Sequence, residues 1–128
     1  MQVAVGVIRD PQQRIFITQR RHHTELAGYW EFPGGKLEER ETPLEALIRE
    51  LHEEVGIRVE QARLLQTVAG TQTQQHLQLH YFLVDQWQGE PYGREGQPHR
   101  WIAQQDLRAV AFPPTNASVV AWLLGGSV

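Results

Sequence analysis

The chain has 128 residues, of which 41% are hydrophobic and 21% charged, and it carries a formal net charge of −3. This length suits one domain, 1–128, with a real hydrophobic core, and is too short for two domains of ordinary size. The negative balance excludes a broad basic surface for nucleic acid, and no apolar run reaches membrane-spanning length. The absence of cysteine excludes disulfides and thiol catalysis and is compatible with the cytoplasm, where we expect the protein.

The first part of the chain predicts short strands separated by turns. Residues 3–8 read as a buried strand, and 14–19 read as its hairpin partner across an Asp-Pro turn. Residues 22–29 predict a polar loop. Residues 30–37 predict a short extended stretch that a Pro-Gly-Gly turn interrupts.

The second part predicts further strands and a closing helix. Residues 59–68 and 77–84 are strand candidates, and the latter carries alternating apolar residues on one face: Leu77, Leu79, Tyr81 and Leu83. A Gly- and Pro-rich loop at 86–98 leads to a short strand at 99–102, and 116–124 read as a helix. This order predicts a mixed α/β fold in one compact domain.

A helix between Thr42 and Gly56 is the most strongly predicted element. Thr42 suits the N-cap, Glu45 completes a capping box, and Gly56 suits the position just past the last turn. At about 100° per residue, three glutamates share an arc of about 100°: Glu50, Glu53 and Glu54. A separate apolar stripe is expected to dock on the core: Leu44, Leu47, Ile48, Leu51 and Val55.

The three clustered carboxylates predict a metal site. They repel one another unless a cation lies between them, and oxygen ligands without cysteine or clustered histidine favour Mg²⁺, with Mn²⁺ as a substitute. Mg²⁺ usually binds together with substrate phosphates, so a polyphosphate ligand is expected. Arg49 either orients a neighbouring glutamate through a bidentate pair or forms an ordinary surface ion pair.

The run from Gly35 to Ile57 resembles the Nudix box with no position missing. The box reads glycine, five residues, glutamate, seven residues, Arg-Glu-aliphatic-x-Glu-Glu-x-Gly-aliphatic, and here its fixed residues are Gly35, Glu41, Arg49, Glu50, Glu53, Glu54 and Gly56. The resemblance to the Nudix family implies an α/β/α sandwich around a mixed β-sheet. The flanking stretches EFPGGK, FLVDQWQGEPYGREGQP and FPPTN resemble family members that hydrolyse 8-oxo-dGTP to 8-oxo-dGMP and pyrophosphate, by water attack at the β-phosphorus.

The same resemblance assigns roles at the phosphate end of the site. The predicted metal ligands are the carbonyl of Gly34 and four carboxylates: Glu50, Glu53, Glu54 and Glu95. Glu50 is the preferred general base, followed by Glu95 and Glu53. Glu41 supports the ligands together with Arg49, and Lys36 and Arg20 add positive charge.

Base recognition is assigned to Asn116 and the backbone of Phe32, with the turn Pro33-Gly34-Gly35 close to the substrate. An Asn amide presents both a donor and an acceptor, and the 8-oxo base carries a hydrogen on N7 where guanine has a lone pair. From the residues alone, Asn116 is equally an ordinary helix N-cap. Glu25 and Gln75 depart from the residues that these family members have, which bears on base selectivity and not on the reaction.

Two other functions stay open at this point. A pyrophosphohydrolase for CTP, methyl-dCTP or oxidised dATP would use the same metal helix. A non-catalytic nucleotide-sensing Nudix domain would usually have a damaged box, whereas this box is complete. In either hydrolase, the expected partner is a small nucleotide, with no stable binding to nucleic acid or membrane, and the expected state is a monomer.

Overall fold

The computed structural model describes residues 1–20, 28–72 and 75–125. Its strands, in chain order, are β1 Gln2–Ile8, β2 Arg14–Gln19, β3 Trp30–Glu31, β4 Gly34–Lys36, β5 Arg58–Gln72, β6 Gln75–Gln88 and β7 His99–Ala103. Its α-helices are α1 Pro43–Val55 and α2 Ala117–Leu124, and short 3-10 helices span Gln104–Ala109 and Pro114–Asn116. Most of the polar loop predicted at 22–29, including Glu25, lies outside the described residues.

The strands form two sheets. A mixed sheet has the order β4-β1-β6-β5, in which β1 and β6 run parallel and the other pairs run antiparallel. An antiparallel sheet has the order β3-β2-β7. The predicted hairpin between 3–8 and 14–19 is therefore wrong, and only an isolated bridge joins Arg9 to Ile15. Strand β1 already pairs along both edges, with β4 and β6, so β2 finds its partners in the second sheet.

The two helices cover opposite sides of the sheets. On one side, Ala4 and Ile8 of β1 pack in one hydrophobic cluster with Leu47 and Leu51 of α1. On the other side, Val5 and Val7 pack in a second cluster with α2 and with the predicted apolar face of β6: Leu77, Leu79, Tyr81 and Leu83. Alternation along β1 thus sends successive side chains to different helices. The α/β class and the sandwich of helices around a mixed sheet are confirmed.

Helix α1 begins and ends as predicted, but its buried face differs from the predicted stripe. Thr42 Oγ1 accepts from the Glu45 amide at 3.1 Å, Glu45 Oε1 accepts from the Thr42 amide at 2.8 Å, and Gly56 adopts φ 75°. Leu44 and Ile48 are 43% and 41% exposed, whereas Ala46 is fully buried.

The shift of the buried face toward Ala46 moves the acidic residues inward. On the helical wheel the buried residues run from Ala46 to Val55, and Glu50 and Glu54 fall inside that arc of about 180°. Helix α1 packs closely on β1, since a Cβ on Gly6 would lie 2.8 Å from Leu51 Cδ1. The prediction of an acidic face separate from the buried face is therefore wrong for Glu50 and Glu54, which are partly enclosed between α1 and the sheet, whereas Glu53 is exposed.

Two features of the last third were not predicted. The 3-10 helix Gln104–Ala109 follows β7 and precedes Phe112-Pro113-Pro114. The first residue of the predicted closing helix, Asn116, belongs to a 3-10 turn, and α2 begins at the next residue. No helix in the described ranges 1–20, 28–72 and 75–125 is long and apolar enough to cross a membrane.

Candidate active site

The glycine turn lies directly under the acidic side of α1. In the register of β4 with β1, Gly34 is opposite Val5 and Gly35 is opposite Ala4. A Cβ on Gly34 would collide with the carbonyl oxygen of Ala4, and a Cβ on Gly35 would collide with the carboxylate of Glu50. Both positions therefore require glycine for lack of space, and the turn brings its backbone against the carboxylates.

Arg49 is the centre of a hydrogen-bonded network. Its Nε and Nη2 atoms donate to the two carboxylate oxygens of Glu41, at 2.7 and 2.9 Å. Its Nη1 donates to Oε1 of Glu50 at 2.9 Å and to Oε1 of Glu53 at 2.8 Å, and Nη2 also reaches the carbonyl oxygen of Lys36 at 3.0 Å. The contact with Arg49 lowers the pKa of Glu41 to about 2. Arg49 thus contacts two predicted metal ligands at once, which an ordinary surface ion pair does not do.

Glu54 is the most enclosed of the predicted metal ligands. Its Oε2 accepts from the Gly34 amide at 3.2 Å. Burial, followed by the negative charges of Glu31, Glu95 and Glu50, raises the pKa of Glu54 to about 8. Without a cation, this carboxyl group is therefore largely protonated at neutral pH.

Glu31 is an acidic residue of the site that the sequence reasoning missed. It ends β3, and its Oε1 lies 3.1 Å from Nε of Arg20. Burial raises the pKa of Glu31, and the charge of Arg20 opposes that effect. Glu31 is the first residue of the stretch EFPGGK. Its distance along the chain from the other carboxylates gave no sign of a shared site, because the folding of β3 brings it close to Glu54.

Glu95 comes to the site on a loop, residues 89–98, that is fastened to the end of α1. The Arg94 amide donates to the Glu54 carbonyl at 3.1 Å, and Arg94 Nη1 donates to the His52 carbonyl at 2.8 Å. Gln97, which is buried, accepts from the Glu95 amide at 2.9 Å and donates to the Glu54 carbonyl at 3.2 Å. The Glu54 carbonyl belongs to the last helical turn and has no partner within the helix, so it is available for these contacts, whereas the His52 carbonyl also accepts from the Gly56 amide at 3.1 Å. Sequence reasoning missed Gln97.

The chemistry of the donors fits a hard divalent cation, although the carboxylates do not form a ready-made chelate. No group of three His, Asp or Glu side chains converges tightly enough to hold a metal ion within 1–20, 28–72 and 75–125. Within the part of the chain that the structure describes, Arg49 binds Oε1 of Glu50 and Oε1 of Glu53, which leaves the second oxygen of each carboxylate for a metal ion. Burial, followed by repulsion from neighbouring carboxylates, raises the pKa of Glu50 and of Glu54, and a bound cation would oppose both effects.

A cavity of about 240 Å³ adjoins the acidic residues on the side of α2. Six of the seven predicted substrate-contacting residues line it: Arg20, Phe32, Gly34, Gly35, Lys36 and Asn116. The seventh, Pro33, is buried and does not line the cavity, and its carbonyl accepts from the Gly6 amide at 2.8 Å. Phe32 is held by a stacked contact with Phe112 at 4.9 Å between ring centroids.

Asn116 lines this cavity and is buried. Asn116 occupies the N-cap position of α2, as the alternative predicts, but its side chain makes no capping hydrogen bond, so it is not an ordinary capping residue. Instead, Oδ1 accepts a short hydrogen bond from the hydroxyl of Tyr81. The side chain of Gln75, the other predicted departure near the base, lies outside the described residues.

Comparison with known proteins agrees with this geometry. The chain is 45% identical over 123 residues to the 8-oxo-dGTP diphosphatase of Escherichia coli K12, which covers 96% of this chain and 95% of the relative. It is 32% identical over 118 residues to the CTP pyrophosphohydrolase of the same strain, covering 90% and 84%. A solved MutT structure, from a study of Aliivibrio salmonicida and Vibrio cholerae, has a TM-score of 0.86 at 36% identity and covers 98% of this chain and 99% of its own.

The family assignment rests on nearly the whole length. The NUDIX domain model matches residues 1–123, so the match includes the glycine turn, the acidic helix, the loop with Glu95 and Asn116. The chain belongs to the NUDIX domain family.

Proposed function

We propose that this protein is a Mg²⁺-dependent pyrophosphohydrolase that converts 8-oxo-dGTP to 8-oxo-dGMP and pyrophosphate. The observation that carries the proposal is the shared wall between the two parts of the site. Arg20 and Glu31 line both the cavity with Asn116 and the cleft with Glu54 and Glu95. A base in the cavity therefore extends its phosphates toward the carboxylates.

The proposed metal ligands are the carbonyl of Gly34 and the carboxylates of Glu50, Glu53, Glu54 and Glu95. When bound, Mg²⁺ acidifies water and neutralises phosphate charge. Divalent metal is the general requirement of this family; the choice of Mg²⁺ follows from the all-oxygen donor set.

Glu50 is the proposed general base. Burial raises its pKa, which makes it a stronger proton acceptor near neutral pH, while Arg49 keeps one of its oxygens fixed. Glu50 would take the proton of the attacking water, with Glu95 and Glu53 as the next candidates. Arg49 and Glu41 position these carboxylates, and Lys36 and Arg20 add positive charge beside the phosphates.

Asn116 is proposed to select the oxidised base. An amide oxygen opposite N7 accepts a hydrogen bond from the N7–H of 8-oxoguanine, whereas unmodified guanine would place two acceptors against each other. Burial strengthens this selection, because an unsatisfied polar pair in a buried site costs about 1–3 kcal/mol.

The test compares kcat/KM for 8-oxo-dGTP, dGTP and CTP with Mg²⁺, in the wild type and in Asn116→Ala. We expect a preference for 8-oxo-dGTP of about 10²-fold or more over dGTP, and most of it should disappear in the variant. Gln78→Ala, an exposed amide on β6, is the control and should keep the preference. Comparable rates on dGTP would reject the selectivity for damaged guanine.

A second candidate is hydrolysis of CTP, favoured by the 32% identity to a CTP pyrophosphohydrolase. The same assay separates the two, because a CTP hydrolase would prefer CTP and tolerate Asn116→Ala. Failure to hydrolyse any nucleotide would favour a nucleotide-sensing domain instead.

The position of water attack is proposed to be the β-phosphorus. Hydrolysis in H₂¹⁸O would then place the label in pyrophosphate, whereas attack at the α-phosphorus would label 8-oxo-dGMP. Mass spectrometry of the two products decides between them.

We also propose that residues 1–128 act as one domain and as a monomer, on free nucleotides in the cytoplasm. The net charge of −3 supports small anionic ligands met by local cations over extended nucleic acid. Light scattering at micromolar concentration should give the mass of one chain, and a dimer mass would reject the monomer.

A further inference from the structure

We propose that Tyr81 is a positioning residue that fixes which end of the Asn116 amide is the acceptor, and thereby sets the base selectivity of the cavity. The inference rests on the proposed function of Asn116 and deepens it. Tyr81 lies in β6 on the side of α2 and is fully buried. Its hydroxyl donates to the side-chain oxygen of Asn116.

The hydroxyl of Tyr81 has one proton and two acceptors within reach. It contacts Oδ1 of Asn116 and lies 3.1 Å from the carbonyl oxygen of Thr115. Burial raises the pKa of Tyr81 well above its ordinary value, so the hydroxyl keeps its proton across the working range of pH. When the proton points to Asn116, the group beside Tyr81 must be the amide oxygen, because an NH₂ group cannot accept it.

The orientation of an Asn amide matters because its two ends are chemically opposite. 8-oxoguanine presents a donor at N7 and an acceptor at O6, whereas adenine presents an acceptor at N7 and a donor at N6. One amide orientation matches the first pattern at both atoms, and the flipped orientation matches the second. A fixed amide therefore rejects adenine at two contacts, whereas a freely flipping amide accepts either base.

The surrounding backbone makes the Tyr81 hydroxyl the decisive contact. Asn116 is 6% exposed and makes no capping bond to α2, so α2 does not hold its amide. The backbone of the segment is fixed, because the backbone N–H of Asn116 donates to the Pro113 carbonyl at 3.0 Å. Thr115 also packs tightly on β5, since a Cβ on Gly70 would lie 2.7 Å from Thr115 Cγ2. The flip of the side-chain amide thus remains as the main freedom at this position.

The test removes only the hydroxyl, with Tyr81→Phe, and measures Kd for 8-oxo-dGMP, dGMP and dAMP without metal. We expect the preference for 8-oxo-dGMP over dAMP to narrow by about tenfold or more, since one bidentate match is worth about 1–3 kcal/mol. Tyr92→Phe, a half-exposed tyrosine, is the matched control and should leave the ratio unchanged. An unchanged ratio in Tyr81→Phe overturns the proposal.

A double mutant separates positioning from a general effect on packing. If Tyr81 acts through Asn116, Tyr81→Phe should have no effect on the ratio in an Asn116→Ala background. An equal narrowing in that background would show that Tyr81 shapes the cavity by packing alone, and would reject the proposal.

The orientation itself can be measured in the wild type, even if Tyr81→Phe fails to fold. Asn116 is the sole asparagine of the chain, so ¹⁵N-asparagine labelling gives a single side-chain NH₂ pair by NMR. We expect weak NOEs from these protons to the Tyr81 ring, because the oxygen faces it. Strong NOEs would place nitrogen against Tyr81 and overturn the proposal. If the wild type shows weak NOEs but does not hydrolyse 8-oxo-dGTP, the proposed function is rejected while the orientation of the Asn116 amide stands.

Discussion

The acidic part of the site and the cavity of Asn116 are built in opposite ways. The acidic part depends on one helix and its two ends: Arg49 joins three glutamates, and the last turn fastens the loop of Glu95. The cavity is assembled from separate segments of the chain, and the groups to which base selection is assigned are neutral: the amide of Asn116 and, behind it in the hydrogen-bonded chain, the hydroxyl of Tyr81. The difference implies that reaction and base selectivity are separable, and that changes in one part should spare the other.

The largest expected effect breaks the reaction alone. Glu53→Gln removes one charge from the carboxylate cluster, and we expect kcat to fall by about 10³-fold because metal affinity and water activation both suffer. The affinity for 8-oxo-dGMP without metal should stay within about twofold, which calorimetry can measure. Glu39→Gln, on an exposed residue outside the network, should behave as wild type. Equal losses of turnover and base affinity would show that the two parts are not separable.

The next prediction concerns the pH dependence of stability that follows from the burial of Glu54 in the acidic part. The pKa of Glu54 is about 8 in the metal-free fold, above its usual range near 4.5. The stability that the protonated Glu54 side chain contributes to the fold is therefore fully present below pH about 4.5, falls as pH rises, and is lost above pH about 8. We expect the metal-free protein to lose a few kcal/mol of unfolding free energy across this window.

Urea unfolding with EDTA at pH 5.5, 7 and 8.5 measures this loss. Glu54→Gln, which stays neutral, should have a flatter dependence on pH, and Mg²⁺ should restore stability to the wild type at pH 8.5. The same slope in wild type and Glu54→Gln would contradict the assignment.

A smaller effect sharpens the role of the network. Arg49→Lys keeps the charge but loses the planar fork that binds Glu41, Glu50 and Glu53 together, so we expect kcat to fall about 10- to 100-fold. KM and base preference should change little, as steady-state assays on 8-oxo-dGTP and dGTP can establish. Arg58→Lys, on an exposed residue of β5, is the control. Activity within twofold of wild type would mean that the guanidinium fork is unnecessary.

The parts of this molecule that could be predicted from sequence are those that depend on neighbours along the chain. The capping box, the end of α1 at Gly56 and the spacing of Glu50, Glu53 and Glu54 follow local rules, and the structure has them. The pairing of β2 could not be predicted, because it depends on which strands already occupy the edges of β1.

The candidate site shows the same limit. Gln97 and Tyr81 gain their contacts only when distant segments meet: Gln97 at the end of α1 and Tyr81 across to Asn116. From the sequence alone, Tyr81 is predicted only as one of several apolar residues on the buried face of a strand. The exposure of Leu44 and Ile48 could not be predicted for a similar reason. The helical wheel groups the apolar residues of α1 on one face, but it does not show which part of that face the sheet covers.

Strand β1 lies between the two parts of the site and faces each with alternate residues. Gly6 lets leucine side chains of α1 pack directly over the strand, while the neighbouring Val5 lines the cavity. Substitutions that enlarge or reshape the cavity can therefore accumulate on one side of the strand without displacing the helix on the other. A lineage could exchange its preferred nucleobase while keeping the hydrolytic apparatus unaltered, provided that the two glycines of the cavity that touch strand β1 and Glu50, Gly34 and Gly35, stay unchanged.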